Sequence, residues 1–235
     1  MINSTIAWIT LRGLFGRRRF LFLLPLPVLL VGLALLAEGL GAVPEEWGQP
    51  VLIGLGVGVV LPVMALIVGT GVLGSEIDDG TLVHVLAKPL PRSTIVLTKL
   101  VLAVAVTTVV VAAPMFVAGV IAGSARLGLG LVAASALGAL AYSALFLALS
   151  LVTRRPVLLG LVYVLIWEGL LGNLVSGTQV LSIQQYAVAV ADRIGDTPLF
   201  DGEVAVPVAV GLALLFTVGG TWLAISRLRS FTVAG

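Results

Sequence analysis

The sequence predicts an all-α polytopic membrane protein. It reads as one domain over residues 1–235, with six transmembrane helices, an N-terminal interfacial helix and a further helix in the loop between spans 2 and 3. Three observations predict this class. Hydrophobic residues make up 60% of the chain and charged ones 10%, with a mean hydropathy of +1.21, whereas a soluble domain carries about 25% charged residues. Runs long enough to cross a hydrocarbon core of about 30 Å at about 1.5 Å per residue occur at 20–37, 51–73, 100–123, 129–152, 157–176 and 204–226. Finally, the basic residues are asymmetric: with the N-terminus inside, all 13 lysines and arginines except Arg126 and Arg193 fall in inner segments, as short cytoplasmic loops require. Six spans then place the C-terminus inside as well, and the net charge of +2 reflects topology, not affinity for nucleic acid.

Residues 3–19 come first. Asn3 or Ser4 caps a helix with Ile6, Ile9, Leu14 and Phe15 broadly on one side, while Arg12 and the run Arg17 to Arg19 meet headgroups. The other reading is a charged flank that only sets orientation. The basic run precedes a span without a small-residue cleavage site, so a cleavable signal peptide is not expected. Pro25 and Pro27 distort the start of span 1, and Pro62 and Pro114 are hinge candidates in spans 2 and 3. Gly54 with Gly58, and Gly119 with Gly123, have the spacing that lets helices approach closely.

The segment 75–92 between spans 2 and 3 is rich in signals. Ser75 and Asp78 have capping-box spacing, Glu76, Asp78 and Asp79 fall in the first turn of the helix so defined, and Pro89 stops it after Lys88. Ile77, Leu82, Val83 and Leu86 give it an apolar side. It reads either as a well-capped loop or as a rigid helix that passes force from a soluble partner to two spans.

The succession Glu76, Gly80, Thr81, Leu82, Leu86, Pro89, Arg92 and Lys99 resembles the cytoplasmic loop of ABC-2 type transporter permeases. The overall plan and the stretch Val164 to Ala187 are similar to members of that family too. His84, Ala87 and Lys88 depart from the pattern. The resemblance implies a permease subunit, expected to be an exporter, in a bacterial or archaeal cytoplasmic membrane. It also implies a second permease copy or homologue and two ABC ATPase subunits, with Glu76, Asp79, Gly80, Thr81, Leu82, Leu86 and Arg92 as ATPase-coupling residues. ATP and Mg would bind the partner, because this chain lacks GxxxxGK[ST]; no cofactor, catalytic residue or metal ligand is expected here.

Glu168 is the costliest residue, since a charged carboxylate at mid-membrane costs about 3 kcal/mol on insertion scales. With Trp167 it marks either the translocation route or a subunit contact, or else it snorkels toward outer headgroups. Beyond it, in the outer segment 177–203, Ser182 and Gln185 repeat the capping-box spacing ahead of an outer interfacial helix to about Ile194, expected to act as a lid or dimer contact.

Other functions fit less well. Glu76, Asp78, Asp79 and His84 would suit a divalent metal, but capping and dipole already explain the acids. Asp79-Gly80 loosely suggests a lipid-modifying transferase, without its second acidic pair. An ion-coupled secondary transporter is the stronger alternative, yet it wants buried ionisable residues on several spans, and the apolar runs offer Glu168.

Overall fold

The computed structural model describes residues 8, 10, 23–78, 91–171, 178–200, 202 and 204–230. Helix α1, Pro25–Gly39, opens on prolines in its first turn, where an amide hydrogen would have no helical partner. It ends in a turn at Gly41, whose φ of 73° suits a residue without Cβ. Pro44–Gly48, a π-helical run Gln49–Val60 and Leu61–Asp78 follow one another without a break as α2, residues 44–78. Glu45 and Glu46 occupy its first turn, which favours negative charge. Helix α3, Arg92–Ala122, carries Pro114 internally and turns at Gly123 into α4, Ala125–Val152. Ser124 caps α4, its hydroxyl accepting from the Leu127 amide at 3.1 Å.

Helix α5 starts at Pro156, is α-helical to Val162 and π-helical over Tyr163–Leu171. A 3₁₀ turn, Thr178–Leu181, leads into α6, Ile183–Gly195, which ends at Asp196 in the left-handed region with φ 51°. Helix α7 is Val206–Ser230.

Helix α4 is the centre, touching α2, α3, α5, α6 and α7. Lipid tails are as apolar as the side chains, so helices associate here by close packing, which small residues permit. A Cβ on Gly130 would lie 2.7 Å from the Ala191 carbonyl oxygen of α6, and one on Gly138 would strike Leu61 of α2. Gly220 of α7 faces the Ala144 carbonyl at 2.9 Å in the same sense. Gly138 against Leu61 and Gly69 against Phe146 make α2 parallel to α4, the turn at Gly123 makes α3 antiparallel to it, and the Arg92 side chain on the Leu228 carbonyl brings the end of α7 to the start of α3, so that α7 is parallel to α4 too. One end of the bundle thus gathers Arg92, Arg154, Arg155, Arg227 and Arg229, and the opposite end Glu38, Glu45, Glu46 and Asp196.

Among the described residues four helices are long and apolar enough to cross a membrane: Pro44–Leu73, Arg92–Ala122, Ala125–Val152 and Val206–Ser230. Those at Pro25–Gly39 and Pro156–Leu170 are apolar but shorter. Most of the expected interfacial segment 3–19 lies outside the described residues.

Two boundaries differ from expectation. Ser75 does not start a helix, because α2 runs on through Asp78, so the backbone at Ser75 lies in the last turn of the preceding helix. A Ser-x-x-Asp pattern near the end of a span cannot be told from a helix start by spacing alone. Likewise α3 begins at Arg92, eight residues ahead of the apolar run from Leu100, because polarity does not interrupt helical hydrogen bonding.

The expected glycine seams also separate. Gly119 meets the Gly128 backbone within the same chain, Gly58 meets the Gln184 amide group, and Gly54 has nothing within 4 Å. Gly119→Ala is expected to cost about 1–3 kcal/mol by overpacking, while Gly54→Ala stays within about 1 kcal/mol. Thermal unfolding of the purified chain in detergent checks this; equal midpoints for the two variants would contradict the α3–α4 contact.

Candidate functional site

The described residues carry two buried charged side chains, Lys99 and Glu168, and each engages a neighbouring element. Lys99 lies two helical turns into α3, fully buried, and its Nζ donates to the Val72 carbonyl of α2 at 2.5 Å. Since α2 and α3 are joined through 79–90, this bond clamps the two helices just inside that connection. Thr70, two residues earlier on α2, returns its hydroxyl to the Leu66 carbonyl, so its own buried donor is satisfied.

Glu168 lies in the π-helical half of α5 and is 1% exposed. Its carboxylate accepts from the Tyr163 hydroxyl at 2.8 Å, the Ser182 hydroxyl at 2.5 Å, and the backbone amides of Ile183 and Gln184 at 3.0 and 3.2 Å. Four donors fill the acceptor sites of two carboxylate oxygens. Two of them are among the first amides of α6, which have no partner within that helix and carry its positive dipole end. Ser182 is bifunctional: its oxygen also accepts from the Gln185 amide at 3.3 Å and so caps the helix itself.

Neighbouring aromatics complete the arrangement. The Trp167 indole donates to the Leu181 carbonyl at 3.3 Å and the Tyr186 hydroxyl to the Val180 carbonyl at 2.5 Å, fastening the 178–181 turn from both sides. Tyr142 of α4 is fully buried and stacks on Phe146 with ring centroids 5.8 Å apart. Gln184 beside the Glu168 carboxylate also lies against Gly58, which is 14 residues past Pro44 and 20 before Asp78 in α2, so the cluster sits near mid-depth of the bundle. Glu168 therefore does not snorkel to a surface; it is enclosed by its own chain.

At the other end of α6, Arg126 from the first turn of α4 donates through Nε to the Ile194 carbonyl at 2.9 Å and pairs with Asp196 at 2.9 Å. Both partners are well exposed, so this pair contributes little by itself. The helix expected beyond Ser182 is thus present but does not lie along the outer interface: it packs on α4 with its N-terminus buried and its C-terminus at the rim, because a Cβ-free Gly130 lets its backbone approach.

Among the residues expected to couple to a partner, Arg92 begins α3, and its guanidinium donates to the Leu228 carbonyl of α7 at 3.4 Å. Glu76 is in the last turn of α2, where the backbone alone is described; Asp79, Gly80, Thr81, Leu82 and Leu86 lie outside the described residues. Sequence reasoning missed Tyr163. It is five residues from Glu168, a spacing that shares a face in a π-helix and not in an α-helix.

A bundle of long apolar helices around a glycine-lined central helix, with the buried Lys99 and Glu168 answered by groups of the same chain, defines a polytopic membrane protein. Residues 5–194 match the family described as ABC-2 family transporter protein. That covers most of the chain, which therefore belongs to this family of transporter permeases. No curated protein matches the chain.

Glu168→Gln places an amide donor against backbone donors and is expected to lower stability by about 1–3 kcal/mol. Ser182→Ala loses a cap worth about 1 kcal/mol. Denaturation midpoints in detergent measure both, and a Glu168→Gln chain as stable as the parent would rule out the capping contact.

Proposed function

We propose that this chain is the membrane subunit of an ATP-driven ABC-2 type exporter. The observation that carries the reading is the family match over residues 5–194. In this reading the chain crosses the cytoplasmic membrane of a bacterium or archaeon six times, α1 and α5 serving as spans beside the four longer helices, with both termini inside. The excess of arginine at one end of the bundle supports that orientation. Two permease subunits, identical or homologous, pair with two separate ATPases that bind ATP and Mg.

Coupling runs through the segment that links α2 to α3, with Glu76, Asp79, Gly80, Thr81, Leu82, Leu86 and Arg92 at or beside the contact. Rigid helices on both sides of that segment, clamped by Lys99 on the Val72 carbonyl, support this assignment. Helices transmit displacement that a flexible linker would absorb. An ion-coupled carrier gains no support from the buried charges, because Lys99 and Glu168 each bind backbone groups of a neighbouring element.

The reading is tested by purifying the tagged chain from its host in mild detergent. A P-loop ATPase is expected in near-stoichiometric amount, and reversing charge at Glu76 and Asp79 is expected to reduce its retention about tenfold or more, as one or two lost charge-assisted contacts would. A chain that purifies alone and transports without ATP would overturn it.

A further inference from the structure

Helix α6 is held at both ends by groups that complement its dipole, yet the two ends differ in kind. The exposed end is tied by Arg126 to the Ile194 carbonyl and to Asp196, where water can replace either contact by degrees. The buried end is tied by Glu168 to the amides of Ile183 and Gln184 and to the Ser182 hydroxyl, where no bulk water can take over. A contact of the second kind is either made or broken.

The same end is stitched further. Trp167 reaches the Leu181 carbonyl from α5, and Tyr186 reaches the Val180 carbonyl from α6. Tyr163, one π-turn before Glu168, holds the carboxylate in place from within α5. The π-helical half of α5, the 178–181 turn and the first turn of α6 are therefore joined by hydrogen bonds at every step.

We propose that Glu168 is a positioning residue that couples α6 to α5, so that displacement of α5 carries the buried end of α6 with it. The part that this motion plays in transport rests on the permease reading; the contact does not. In this assignment Glu168 serves α6 and not the cargo, which sets it apart from a residue lining the route.

The chain has no cysteine, so spin labels can be placed without removing native thiols. Ile166 on α5, Ile194 on α6 and Leu129 on α4 are 50%, 36% and 56% exposed and suit labelling. Distances between labels at 166 and 194, and between 129 and 194, are measured by electron paramagnetic resonance on the full chain in lipid nanodiscs. Glu168→Gln is expected to widen the 166–194 distribution at least twofold and leave the 129–194 distribution unchanged. Glu168→Asp keeps the charge and is expected to hold close to the parent width. Ser182→Ala removes one of the four donors and gives an intermediate width, which keeps the test open if Glu168→Gln does not fold. A 166–194 distribution unchanged in Glu168→Gln would overturn the proposal, and so would equal widening of both pairs, or Glu168→Asp as wide as Glu168→Gln. Failure to recover an ATPase would sink the permease reading and leave these distances as they are.

Discussion

Everything in this bundle depends on how closely its neighbours approach α4. In hydrocarbon the helices gain nothing by hiding apolar surface from one another, since lipid offers the same environment, so contact must come from interlocking shape. Gly128, Gly130 and Gly138 supply that on α4, and Gly119, Gly160 and Gly220 answer from α3, α5 and α7. At Gly130 the Ala191 carbonyl and the Gly195 amide of α6 both lie within 3 Å of where a Cβ would stand. Helix α6 can dock its backbone on α4 only because that space is empty, and the Arg126 clasp and the Glu168 contact both presuppose that docking.

Close packing leaves little room for water, and so a buried polar group gains most from a partner inside the bundle. Some serines and threonines do this locally, returning their hydroxyls to carbonyls three or four residues back, as at Thr70, Ser135 and Ser150, whereas the buried hydroxyls of Thr107, Thr108 and Ser143 make no hydrogen bond. Charged groups must work across elements. A half-helix that starts at mid-depth presents unpaired amides and a positive dipole end exactly where solvent is absent, and a carboxylate is the group that meets both demands at once. The cost that makes Glu168 conspicuous in the sequence is thus offset by the cost α6 would otherwise carry.

Much of this was legible in the residues. Length and hydropathy located the long spans, and the Ser182 cap located α6 to within a residue of its end. The Glu168 partner set was not legible, for two physical reasons. Its hydrogen bond with Tyr163 follows a five-residue period, while patterns are read with a period of 3.6. Its bonds to Ile183 and Gln184 are to backbone, which no side-chain pattern announces. The boundary at Asp78 was misjudged because the spacing that starts a helix also occurs by chance inside one, and only the continuing backbone tells them apart.

That boundary changes how the basic end behaves mechanically. With α2 continuing to Asp78 and α3 beginning at Arg92, the segment between them is flanked by two stiff rods and not by loop on either side. Lys99 crosses from one rod to the other at the Val72 carbonyl, a buried ammonium that would be costly to strand. Arg92 then ties the same corner to the last turn of α7 through the Leu228 carbonyl. A displacement applied between the rods cannot be taken up by either alone; it reaches α2, α3 and α7 together, and through the glycine contacts of α2 and α7 it reaches α4. The corner is therefore tied to the centre of the bundle through α2, α3 and α7 together, and in the proposed permease reading it would serve as the lever on which a partner acts.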